Sequence, residues 1–120
     1  MKYVFLKYKK EIINRYNKEK NILKKILQKN ARIEHIGSTA VPELGGKGVL
    51  DILVSIPKRD LKRIKSIILK LEKVDYKFRP FSGDKDRLYF EKNYNKHNSK
   101  KVNLHLTTYN SKIWKEGIAF

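Results

Sequence analysis

Cysteine is absent from the chain, and its absence excludes disulfides, thiolate metal sites and a thiol nucleophile together. Long apolar runs are missing too. The longest extend over a handful of residues, too short to cross a bilayer as a helix. The opening "MKYVFLKYKKE" has no sustained apolar region and no small-residue cleavage site, which predicts no signal peptide and a soluble, cytoplasmic protein. Internal repeats and low-complexity linkers are also lacking, so the 120 residues read as one domain, 1–120, with enough chain for one core.

Negative charge is scarce. Twelve acids stand against 29 lysines and arginines, a net charge of +17. Such a field attracts phosphates at long range. The excess is almost entirely lysine, 23 against 6 arginines, and arginine is the residue suited to bidentate phosphate recognition. The lysines are spread along the chain, beside plentiful Asn, Ile and Tyr, as in a product of an AT-rich genome. The charge therefore permits an RNA partner and does not demand one.

Against these absences, several patterned segments stand out. Phe5, Tyr8, Ile12, Tyr16, Leu23 and the pair Ile26-Leu27 recur at helical spacing and predict an amphipathic helix over 5–27. Ala31 to Ile36 reads as a brief strand. "VLDILVSI", Val49 to Ile56, is nearly all apolar and rich in β-branched residues, as a central strand covered on both faces is. After Pro57, Asp60 is expected to cap a second helix carrying Leu61, Ile64, Ile67, Ile68 and Leu71. Tyr76 to Phe78 predicts a short strand. "RLYFEKNY" and "VNLHLTTY" alternate and predict a hairpin. The stretch from Ser111 starts as a helix with Ile113, Trp114, Ile118 and Phe120 to bury. The fold class is α/β in the α+β sense: a mixed sheet flanked by helices.

Chemistry concentrates in "HIGSTAVPELGGKGVLDILVSI", which holds four of the six glycines. Gly37 lets a backbone approach a ligand closely. Ser38 suits a helix N-cap, and the amides that follow it suit an anion. Asp51 inside an apolar strand is costly unless paired or coordinated. It suits one divalent cation whose remaining ligands are phosphate oxygens and water, as with magnesium; a salt bridge to Lys47 is the structural alternative. Gly-Ser, twelve residues, then an Asp on a strand is the pattern of the nucleotidyltransferase superfold. The second carboxylate of that pattern falls at Leu53. Two-metal phosphoryl transfer needs several carboxylates, and Glu91 is the only other acid on the later strands.

"HIGSTAVPELGGKGVLDILV" closely resembles the signature of the GrpB family: His35 to Pro42, Leu44, Lys47, Asp51 and Ile52 all match it without a gap. Tyr8, the pair Tyr16 and Glu19, Leu104-His105 and Trp114 also resemble family positions, so the resemblance covers essentially the whole chain. It implies a nucleotidyltransferase-like fold, in a family whose members occur alone or fused behind dephospho-CoA kinase and have no well-settled activity. Glu43 replaces a glycine of the pattern, Gly48 a proline, and Asn103 the first His of a His-Leu-His strand. Family members also continue into a helical tail, whereas this sequence stops at Phe120.

The resulting expectation is a domain that binds a nucleotide or another phosphorylated small molecule and acts, if it is an enzyme, as a metal-dependent nucleotidyltransferase. Asp51 and His105 are the catalytic candidates, with Asp51 also the magnesium ligand. His35, Gly37, Ser38, Thr39, Lys47, Arg87 and Tyr89 are the phosphate- and ligand-binding candidates. The alternative is a non-catalytic module for RNA or a partner protein, built on a degenerate site.

Overall fold

The computed structural model describes residues 2–27, 30–36, 49–83, 87–94 and 101–109, with helix side chains described from Lys10 onward. The expected N-terminal helix forms as α1, Lys2–Leu27. Its buried face is Ile12, Arg15, Glu19, Leu23 and Leu27, at the spacing of three and four that one helical stripe requires. Phe5 and Tyr8 lie outside the described side chains. Strand β1, Arg32–Ile36, follows, then β2, Val49–Ile56.

Asp60 is not a helix cap. Pro57 sits at φ −61° and ψ 145°, and the chain turns at once into a 3-10 segment, Lys58–Arg63. The Asp60 amide donates to the Pro57 carbonyl at 2.9 Å, and the Asp60 carboxylate accepts from Arg63 at 3.0 Å. Helix α2, Ile64–Lys73, starts only after this turn. It ends on Asp75 at φ 75°. The Asp75 amide donates to Glu72 at 3.1 Å and the Tyr76 amide to Leu71 at 3.0 Å, the paired bonds of a Schellman ending. Leu71 and Tyr76, both fully buried, supply its hydrophobic contact.

The remaining strands are β3, Lys77–Phe78, β4, Leu88–Asn93, and β5, Lys101–Thr108. The sheet order is β1-β2-β5-β4-β3. Only β2 and β5 run parallel; the other pairs are antiparallel, including the expected β4–β5 pairing. Strand β2 is interior, but the centre of the sheet is β5. In the turn before β4, Gly83 approaches the Arg87 carbonyl so closely that a Cβ would collide with it, which reserves the position for glycine. The segment 111–120 lies outside the described residues.

Alternation sorts the sheet into two faces. Leu50, Ile52, Val54 and Ile56 of β2, Val102, Leu104 and Leu106 of β5, and Phe90 of β4 join Leu23, Leu27, Ile67 and Leu71 of the helices in one core. Both described helices therefore cover the same face. The opposite face carries Asp51, Leu53 and Ser55 of β2 beside Asn103, His105 and Thr107 of β5.

One polar cluster interrupts the core. Glu19 on α1 is fully buried. Lys92, at a β4 position that alternation assigns to the core face, donates to it at 2.9 Å, and the Tyr76 hydroxyl donates to the same oxygen at 2.7 Å. The other Glu19 oxygen accepts from the Tyr94 hydroxyl. Burial and the carboxylate together push the Tyr76 and Tyr94 hydroxyls well above their ordinary pKa, so both remain protonated donors.

Removing one member of such a cluster strands the others without water. Glu19→Ala should cost about 3–5 kcal/mol in urea unfolding. The double variant Glu19→Leu/Lys92→Met should lose clearly less than the sum of its single substitutions. Strict additivity would show that the two side chains do not act as a unit.

Candidate functional site

Three strands bring the site side chains together. Register places Asp51 beside Asn103 and Asn103 beside Glu91, then Leu53 beside His105 and His105 beside Tyr89 in the next row. The Asn103 amide donates to Asp51 Oδ1 at 3.0 Å. Its carbonyl oxygen accepts from the Tyr89 hydroxyl at 2.6 Å. A single asparagine thus fixes the carboxylate on one side and the phenol on the other. His105 Nε2 stands 3.8 Å from the same Asp51 oxygen, too far for a hydrogen bond. The Tyr89 ring meets the His105 ring edge-on at 5.3 Å. Burial, reinforced by Glu91, pushes the Tyr89 pKa up to about 12, so the phenol is a donor at neutral pH.

Asp51 and His105 are mostly but not wholly covered, with 19% and 14% of their side-chain surface exposed. Asp51 thus stays reachable from solvent at the end of an otherwise apolar strand. Its Oδ1 is engaged by Asn103, while Oδ2 has no hydrogen-bond partner among the described residues.

His35 goes elsewhere. Its partner in register is Ile52, a core-face residue, and its ring stacks on Tyr16 of α1 at 5.2 Å. It therefore faces the helices while Asp51 and His105 face away from them. Tyr16 is fixed in turn by donating to the Ile33 carbonyl at 3.3 Å. Arg87 lies two residues before Tyr89 on the Asp51 face, toward the far end of the sheet. Gly37, Ser38, Thr39 and Lys47 lie outside the described residues. Register still places Ile36 opposite Asp51, so the chain enters the Gly37-Ser38 segment from the strand position next to the carboxylate.

The second-acid question has a geometric answer. Leu53 shares a face with Asp51 by alternation, and it is fully buried. Glu91 is two strand spacings from Asp51, about 10 Å between backbones, with Asn103 between them. It faces Arg79 at 3.7 Å. No three His, Asp or Glu side chains gather around a common metal position among the described residues.

The GrpB protein family model matches residues 3–120. The chain belongs to the GrpB family. The crystal structure of the conserved protein GrpB from Enterococcus faecalis aligns with a TM-score of 0.70 and 25% identity, over 87% of this chain and 61% of that one. This GrpB chain thus spans about three-fifths of that relative's length. A cytoplasmic RNA terminal U-transferase aligns at a TM-score of 0.44 and 18% identity, over 83% of this chain and 36% of that one. The RNA terminal uridylyl transferase Cid1 aligns at 0.42 and 16%, over 83% and 35%. Scores of that size add nothing to the fold assignment. No curated protein matches the chain significantly. No helix among the described residues is long and apolar enough to cross a membrane.

Sequence reasoning missed one site residue, Asn103, which it registered only as a departure from a histidine. Its signal was parity: Asn103 and His105 alternate with Val102 and Leu104, which places both on the face opposite the core.

Two outcomes follow from the geometry. Leu53→Asp should cost about 3 kcal/mol or more in denaturant unfolding, because a buried leucine is lost and an unpaired carboxylate is buried beside Asp51. A neutral effect would mean that the position is open to water. Burial against Tyr16 lowers the His35 pKa, with the Asp51 charge opposing the shift. The folded protein then binds the proton less well than the unfolded chain, so stability is intact above about pH 6.5 and falls as pH drops below it. NMR titration of the ring protons should find His35 titrating below that value. Titration at or above it would contradict the burial.

Proposed function

We propose that this GrpB-family chain binds a nucleotide or another phosphorylated small molecule at the exposed end of the Asp51 face. The observation that carries the reading is the Asn103 clamp: on the polar face of an interior strand it holds a partly exposed carboxylate whose second oxygen has no hydrogen-bond partner among the described residues. A carboxylate kept there for stability alone would be better paired or replaced. The segment "GSTAVPELGGKG" follows Ile36, the residue opposite Asp51 in register. In this reading Ser38, Thr39 and the neighbouring amides, with Lys47, take the phosphates. The net charge of +17 raises the local concentration of such anions.

The residues fit magnesium in one form only. Asp51 Oδ2 can supply a single protein ligand, and phosphate and water must supply the others. Bound there, the ion would neutralise phosphate charge. His105, beside Asp51, is placed to donate or accept a proton on an incoming group, and Asn103 keeps the carboxylate oriented. The absence of cysteine and of long apolar helices among the described residues is compatible with a cytoplasmic setting.

A buried leucine at position 53 and the separation of Glu91 from Asp51 favour a second element of this reading: binding without efficient nucleotidyl transfer. Two-metal transfer requires carboxylates around ions about 4 Å apart. Losing such a stabiliser costs a hundredfold to a thousandfold in rate or more.

The test is thermal unfolding with ATP, CTP, UTP and phosphorylated CoA precursors, each with and without magnesium. At ligand about tenfold above Kd, stability should rise by about 1.4 kcal/mol, or about 5 °C for a chain of this size. Asp51→Ala should abolish the magnesium-dependent part of the shift. Absence of any shift, or a shift unchanged in Asp51→Ala, would refute this site.

A further inference from the structure

A second recess opens at the opposite end of the sheet, five residues along β2 from Asp51, or about 16 Å of extended chain. It encloses 340 Å³. An apolar cavity of about 150 Å³ is enough to hold a benzene ring. Its floor is Ile56, Ile64, Leu88 and Leu106, the last turn of core side chains where β2, β5 and β4 meet α2. Leu61 stands at the rim, 46% exposed.

The polar side of the recess is cationic. Lys58 and Arg87 both line it, and among the described residues no acid does. The Arg87 Nε is buried and has no hydrogen-bond partner. A buried donor left without an acceptor costs as much as a hydrogen bond forgone. Arginine beside an apolar floor favours a planar or tetrahedral anion attached to a hydrophobic body.

We infer that this recess is a binding site for a small organic anion, with a carboxylate or phosphate on Arg87 and Lys58 and an apolar group over Ile56, Leu88 and Leu106. Arg87 lies on the Asp51 face but at its far end, and the recess includes none of Asp51, Asn103, His105 and Tyr89, so it stands or falls independently of nucleotide binding there.

Amide chemical shifts of the whole chain, titrated with phenylacetate, phenyl phosphate, inorganic phosphate and phenethyl alcohol, decide the matter. The expected result is saturable shifts at Ile56, Leu61, Leu88 and Thr108 with one or both aromatic anions. Which of the two binds tells carboxylate from phosphate. Phenethyl alcohol and inorganic phosphate should each bind at least about tenfold more weakly, since each lacks half of the recognition. Arg87→Met should weaken the anion by about tenfold or more. Leu61→Glu, at an exposed position that tolerates change, should abolish binding by placing a negative charge at the rim. Failure of both aromatic anions, equal binding of the alcohol, or undiminished binding in Arg87→Met or Leu61→Glu would overturn the proposal.

Discussion

The buried Glu19 carboxylate is the constraint around which this structure is arranged. Burying a charge is unfavourable by several kcal/mol unless its lone pairs are met, and three segments outside α1 supply the donors that meet them. Glu19 belongs to α1, Tyr76 to the turn after α2, Lys92 to β4, and Tyr94 to the segment just past β4. A leucine at position 19 would pack in many orientations, whereas a carboxylate with three directed donors accepts one. The Lys92 ammonium also lies over the Tyr76 and Tyr94 rings at 5.1 Å and 5.8 Å, so its desolvation is offset from several sides. The angle of the long helix across the sheet is thereby set by polar directionality as well as by packing.

That orientation has an effect on the other face. With α1 and α2 both committed to one side, β2 and β5 are free to present polar side chains on the opposite one. The parallel β2–β5 pair then fixes Asp51 against Asn103 with no freedom of register, because a one-residue slip would turn Leu104 and Val102 out of the core. The site is therefore as rigid as the hydrophobic pairing beneath it. Asn103 extends that rigidity to Tyr89, and Tyr89 in turn braces His105.

Much of this was legible in the amino-acid pattern. The elements came from periodicity, and Asp51 stood out as a lone acid within "VLDILVSI". Other features depended on partners far away in sequence. Glu19 fills the helical gap between Tyr16 and Leu23, a visible anomaly, but its donors lie 57 to 75 residues onward. His35 and His105 both sit on strands, which by sequence alone lets them point into one cleft. Only the pairing of His35 with Ile52 shows that it faces the helices. Residue type alone makes Asp60 a cap, whereas the chain turns after Pro57, at φ −61°, into a 3-10 segment that contains Asp60. Arg87 and Lys58 carried no shared signal, since they meet only where the sheet ends.

The hydrogen bond between Asn103 and Asp51 joins residues 52 positions apart, and the same separation runs along the whole β2–β5 ladder. During synthesis, β2 is complete long before β5 exists. Until then "VLDILVSI" offers an unpaired edge of strongly apolar, β-branched backbone, the kind of edge that recruits neighbouring chains. Closing that long loop is an entropic cost met before the pairing is rewarded. Asp51 itself lessens the hazard, because a charge inside an otherwise sticky segment discourages stacking with a second copy of itself. The carboxylate read here as a ligand for the mature fold also acts, before that fold exists, as a guard against aggregation of the nascent chain.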